Sequence, residues 1–196
     1  MPLEEDLIAQ GLWPLCGVDE AGRGPLAGPV VAAAVILNPG SSLRMIVRDS
    51  KSLTEKNREK IYERLISSEE VCIGVSMVDS TTIDEVNILQ ATLMAMKEAV
   101  TQLNIRPTCA LVDGHMTPKL PCRSIPVIKG DVTEPSISAA SIVAKITRDR
   151  YMMTMEESYP GYGFSRHKGY PTKYHLDAII KLGPCRIHRR SFKGVF

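Results

Sequence analysis

Apolar positions along the chain alternate between short unbroken runs and longer stretches with helical spacing. Residues 15–18 form a strand-sized apolar run that ends on Asp19-Glu20, and residues 28–37, rich in Val and Ala, form a second. A Gly-rich connection over 21–27 joins them, and Asn38-Pro39-Gly40 ends the second with turn chemistry. Thr54 is placed to cap a helix running to about Leu65, with Ile61 and Leu65 four apart. Residues 71–78 read as a third strand. Ile88, Leu89, Leu93, Met96 and Val100 recur at helical spacing and predict one long helix over 82–103, stopped by Asn104 and Pro107. A short strand over 110–112 runs into Asp113-Gly114, and another over 124–128 runs into Lys129-Gly130-Asp131. An Ala-rich helix is predicted over 136–155, then a Gly/aromatic loop over 160–171 and a last helix over 172–182.

This order predicts an α/β fold. The first three strands have the spacing of an antiparallel meander. The last two need crossovers and should add in parallel, giving a mixed sheet with helices on its faces. The boundaries predict a body over 1–160 and a helical extension over 161–196 that belongs to the same compact unit.

Composition changes the picture only in places. At 44% hydrophobic and 23% charged, the chain has enough apolar material for a core. No apolar run reaches membrane-spanning length, and the acidic start (Glu4, Glu5, Asp6) is unlike a signal peptide, so a cytoplasmic location is expected. The five cysteines make no C-x-x-C pair, and buried free thiols suit a reducing compartment. The net charge of +2 is unevenly spread: residues 164–196 carry +7, leaving −5 for the rest. A polyanionic partner and a solvated surface helix fit that basic segment equally well on charge alone; in the first case Arg189 and Arg190 would contact phosphates.

The acids sit where apolar strands end: Asp19 and Glu20 after the first, Asp113 after the fourth, Asp131 after the fifth. Sites in open α/β sheets gather at such ends. If the first and fourth strands are neighbours, Asp19 and Asp113 meet. A crowd of carboxylates calls for a cation, and oxygen ligands suit Mg²⁺ or Mn²⁺. Each acid alone reads first as an ordinary turn or cap residue; their repetition after apolar strands brings the two readings level. Other chemistries lack their motifs: there is no P-loop, no G-x-G-x-x-G, no H-E-x-x-H and no G-x-S-x-G, and the four histidines have no zinc-like spacing with Cys.

The run Val18-Asp19-Glu20-Ala21-Gly22-Arg23-Gly24-Pro25-Leu26-Ala27-Gly28 resembles the signature of the type 2 ribonuclease H family. Further matches follow in order: Asp49-Ser50-Lys51-Ser52-Leu53, Asn87-Ile88-Leu89, Val112-Asp113-Gly114, Lys129-Gly130-Asp131, residues 138–145 with Arg148-Asp149, residues 167–172 and residues 188–192. The resemblance covers about 15–193. It implies an RNase H-like mixed five-stranded sheet flanked by helices, with a small C-terminal helical extension. It implies a monomeric endonuclease that cuts the RNA strand of RNA–DNA hybrids and single ribonucleotides in duplex DNA, leaving 5′-phosphate and 3′-hydroxyl ends. Asp19, Glu20, Asp113 and Asp131 would be metal-binding catalytic carboxylates holding divalent Mn²⁺ or Mg²⁺. Gly22, Arg23 and Gly24 would read the 2′-hydroxyl, Tyr170 would pack at the RNA–DNA junction, and Lys51 and Lys145 would contact phosphate. Two rivals are weighed. A type 3 ribonuclease H carries a large N-terminal extension and a Glu as its fourth acid. A non-catalytic nucleic-acid-binding module would not need four clustered acids that repel phosphates.

Overall fold

Five apolar runs become the strands of one sheet in the computed structural model, which describes residues 2–48 and 54–196. The strands are β1 (Leu15–Ala21), β2 (Val30–Leu37), β3 (Val71–Val78), β4 (Cys109–Asp113) and β5 (Arg123–Val127), ordered β3-β2-β1-β4-β5. β1 pairs antiparallel with β2, and β2 with β3, while β1–β4 and β4–β5 are parallel. The meander with parallel additions is thus observed.

β2 is buried at every position, which explains its unbroken apolar run. Its side chains feed two cores alternately. Val30, Ala32, Ala34 and Ile36 pack with Ala91, Ala95, Met96, Ala99 and Val100 of helix α5 (Ile88–Thr101). Ala33, Val35 and Leu37 pack on the other face with Ala139, Ile142, Val143 and Ile146 of helix α7 (Pro135–Ser158). Leu43 and Val47 of α2 (Leu43–Arg48) and Ile61 and Leu65 of α3 (Glu55–Ile66) complete that second core. α7 lies tight on β1: a Cβ at Gly17 would stand 2.1 Å from the Ser136 carbonyl carbon. Thr54 caps α3 as predicted, its side chain accepting from the Asn57 N–H.

The structure departs from the sequence reading in several places. Asp19 and Glu20 lie inside β1 rather than after it, because the pairing with β2 continues to Ala21↔Val31. The single helix predicted over 82–103 is two, α4 (Ser80–Val86) and α5. Asn87 stands between them at φ +70°, and its side chain accepts from the Leu89 and Gln90 N–H groups, so the residue ends one helix and caps the next. The short helices α1 (Leu3–Ala9) and α2 were not predicted; neither is long enough to display a period. α1 is nevertheless tied in. The Glu4 carboxylate, 1% exposed, accepts from the Ser136 N–H and Oγ at the start of α7 and pairs with Arg44 at 2.5 Å.

Beyond α7 the chain forms α8 (Phe164–His167) and α9 (Lys173–Leu182). Tyr162, Phe164, Ala178 and Ile187 pack on Met152 of α7 and on Ala27. Among the described residues no helix is long and apolar enough to cross a membrane, and all five cysteines are free.

Candidate active site

The register decides which acids meet. β1 and β4 run in parallel with Val18 beside Val112, so the next residues, Asp19 within β1 and Asp113 at the end of β4, stand near one another toward the carboxyl edge of the sheet. Asp131 lies on the short helix α6 (Gly130–Thr133) that follows β5, and its N–H donates to Asp113 Oδ1 at 3.3 Å. Glu20 is one residue beyond Asp19, on the opposite face of β1 by the strand alternation.

Asp19 is 6% exposed. Burial raises its carboxyl well above the usual range, and the nearby Glu20 and Asp113 charges push it further; the Glu20 N–H, 2.7 Å away, and Ser141 oppose this by bonding to it. Burial also raises Glu20, against the Arg23 guanidinium 3.2 Å from its Oε1. Carboxylates that raise one another are a set in need of positive charge, and a set of oxygens alone suits a hard divalent ion. Among the described residues, no three or more His, Cys, Asp or Glu side chains are gathered closely enough to hold an ion as they stand. The residues fit such an ion in chemistry and in the strand ends that carry them; ligation would require their side chains to turn together.

Beside the acids opens a cavity of about 450 Å³, whose lining includes Glu20, Asp131, residues 22–24, Lys145 and Tyr170. Glu20 also borders a second cavity of about 240 Å³ that it shares with Asp113 and His115. The structure therefore brings Asp19, Glu20, Asp113, Asp131, Gly22, Arg23, Gly24, Lys145 and Tyr170 to one end of the sheet. Lys51, with its 49–53 motif, lies outside the described residues. Lys145 is paired with Asp149 at 2.6 Å. Tyr170 is exposed, and a Cβ on Gly24 would stand 3.6 Å from its ring. Gly22 has a reason the sequence did not suggest. At φ +96°, its added Cβ would fall 2.1 Å from Arg148 Nε, so the side chain is excluded from the interior side.

One expectation is overturned outright. Arg189, read with the basic segment as a phosphate contact, is 0% exposed, and its guanidinium donates to the carbonyls of Gly22, Arg23 and Gly28. Arg190 is exposed, and its N–H bonds Asp84. Ser141 and Arg148 also belong to this region and were not singled out. Their 141, 145, 148 spacing with Lys145 on one face of α7 is the signal that was available.

Comparison with known proteins places the whole chain. The family model described as Ribonuclease HII matches residues 16–195. Ribonuclease HII of Caldicellulosiruptor bescii is 51% identical over 190 residues, covering 97% of this chain and 91% of the relative. The crystal structure of the ribonuclease H2 from Pyrococcus horikoshii OT3 is 31% identical with a TM-score of 0.76, over 92% of this chain and 94% of that one. A Bst-RNase HIII structure in complex with Mn²⁺ shares the fold at 18% identity and a TM-score of 0.72, over 92% of this chain and 67% of that one. The fold and the family match are those of a ribonuclease H-type endonuclease, a hydrolase. Within that class, the chain belongs to the ribonuclease HII family.

Proposed function

We propose that this endonuclease hydrolyses the RNA strand of RNA–DNA hybrids and single ribonucleotides embedded in duplex DNA, leaving 5′-phosphate and 3′-hydroxyl ends. The observation that carries this reading is one cleft in which Glu20 of β1 and Asp131 of α6 share the lining with residues 22–24 and Tyr170, while Asp19 and Asp113 stand beside it on neighbouring strands. Asp19, Glu20, Asp113 and Asp131 would hold Mn²⁺ or Mg²⁺. Bound there, the cation supplies Lewis acidity toward the phosphodiester and its attacking water. The Mn²⁺ in the Bst-RNase HIII structure supports that choice of ion.

The chain's own residues then divide the work. The buried Asp19, held by the Glu20 N–H, gives the site a fixed anchor. Residues 22–24 present backbone rather than bulk to the sugar, whose 2′-hydroxyl separates RNA from DNA. Tyr170 offers an exposed ring face for the neighbouring sugar. Lys145 supplies a cation near the phosphates, with Asp149 fixing its direction. Residues 161–196 act as one unit with the body; the packing of Tyr162 and Phe164 on Met152 supports this. The test is cleavage of two end-labelled duplexes, a continuous hybrid and a DNA with one ribonucleotide, in Mg²⁺, Mn²⁺ and EDTA. Metal-dependent cutting of both, with 5′-phosphate products, is expected. Cutting in EDTA, or no cutting of either duplex, would refute the reading.

A further inference from the structure

We propose that Arg148 and Arg189 are positioning residues that set the selectivity for a lone ribonucleotide, by fixing the backbone of residues 22–24 against Tyr170. The inference rests on the reading of the cleft given above and assigns its selectivity to two buried side chains behind residues 22–24, of which Arg148 also borders the cavity.

Both guanidiniums are inside the protein, 1% exposed at Arg148 and 0% at Arg189. Arg148 donates from Nε to the Pro29 carbonyl at 3.0 Å, from Nη1 to Lys168 at 2.9 Å and from Nη2 to Ala27 at 3.0 Å. Arg189 donates from Nε to Gly28 at 3.0 Å, from Nη1 to Arg23 at 3.0 Å and from Nη2 to Gly22 at 2.6 Å. All six acceptors are backbone carbonyls. Among the described residues, no carboxylate is hydrogen-bonded to either group. Asp84 and Asp149 act on them only through space, and burying a cation without a directly bonded carboxylate costs several kcal/mol. What the arginines provide in return is direction, since the planar fork holds its acceptors in fixed geometry.

That direction bears on the cleft. In a trans peptide the C=O and the following N–H point opposite ways. Anchoring the Gly22 and Arg23 carbonyls inward at Arg189 therefore turns the N–H groups of Arg23 and Gly24 outward, toward the cavity that residues 22–24 line. Among the described residues neither N–H meets a protein acceptor. Two preset donors side by side suit a sugar hydroxyl. Arg148 then sets the gap they face. Two of its acceptors flank Gly28, and the third, Lys168, is two residues from Tyr170. The Leu26 N–H adds a bond to Gly169 at 2.8 Å. The two arginines meet at Gly22, whose missing Cβ leaves room for Arg148 while Arg189 holds its carbonyl. Burial lowers the pKa of Arg148 to about 10 and that of Arg189 to about 9, so both stay charged near neutral pH.

Arg189→Lys and Arg148→Lys keep the charge and replace the fork by a single ammonium. The measurement is kcat/KM on the continuous hybrid and on the single-ribonucleotide duplex, in the same salt and metal, alongside each variant's melting temperature. A continuous hybrid offers many registers and a lone ribonucleotide one. The single-ribonucleotide value should fall about tenfold further than the hybrid value, the equivalent of one mis-set hydrogen bond. In folded variants, equal losses on both substrates would overturn the proposal and leave the arginines merely structural. A wild-type protein that cuts neither substrate would instead bring down the reading of the cleft. A second measurement needs no variant. In EDTA, the backbone amide resonances of Arg23 and Gly24 in the wild type should shift with the single-ribonucleotide duplex and not with the all-DNA duplex. Equal shifts with both would likewise overturn the proposal.

Discussion

Acid should loosen the C-terminal block through a pair of histidines. His175 and His188 are buried, with their Nε2 atoms 3.0 Å apart, so one ring donates and the other accepts. A proton on the acceptor would set two N–H groups against each other. Burial lowers both rings from 6.5 to about 4. Their surroundings add to this: His175 and the Arg190 charge push His188 down further, against its bond to the Cys185 carbonyl, and His167, stacked on His175 at 4.4 Å, lowers His175. The folded pKa lies below the unfolded one, so the unfolded chain takes up protons first. Stability is therefore full above about pH 6.5 and drains as pH falls toward about 4. At about 1.36 kcal/mol per unit, the first proton into the pair costs about 3 kcal/mol. For a chain of this size that lowers the melting temperature by roughly 6–12 °C. Circular dichroism melts between pH 8 and pH 4 would compare the wild type with the His175→Gln, His188→Gln double variant. A wild-type melting temperature that stays level from pH 7 to pH 5, or a double variant that falls as steeply, would refute the reasoning.

Asp19→Asn and Asp113→Asn should each abolish cleavage in Mg²⁺ and Mn²⁺ while leaving the circular dichroism spectrum intact; near-wild-type turnover in either would remove that residue from the site. Tyr170→Ala should lower kcat/KM on a single embedded ribonucleotide more than on a continuous hybrid, and a ratio that does not move would return Tyr170 to an ordinary loop residue. Gly17→Ala should cost about 3 kcal/mol or more in urea unfolding, since its Cβ would fall 2.1 Å from the Ser136 carbonyl carbon, which is backbone and cannot swing aside; a loss under about 1 kcal/mol would mean that α7 shifts freely on β1.

The sheet was legible because most of its strands are short apolar runs, β1 and β4 carrying acids toward their ends, and the parallel additions follow from chain order. Asp19, Glu20, Asp113 and Asp131 were legible as a set through the resemblance; strand spacing alone left turn roles open. What stayed hidden depends on long-range packing. A count of charges treats Arg189 and Arg190 alike, yet one is interior and the other exposed, a difference created by carbonyls more than 160 residues away. Asn87 sits amid helical periodicity, and only its positive φ reveals the break. Gly22 reads as a glycine for the substrate's sake until Arg148 is seen beneath it.

The bond from Arg189 to the Gly22 carbonyl spans 167 residues. At roughly 5–20 residues per second of synthesis, Gly22 leaves the peptidyl-transfer centre roughly 8–30 s before Arg189 is joined to the chain. Through that interval β1 can pair with β2 and later receive β4, so the acids assemble early, while the loop beside them still lacks its anchor. On the proposed reading, a nascent chain on the ribosome thus carries the four acids before it carries the arginine that holds the loop beside them.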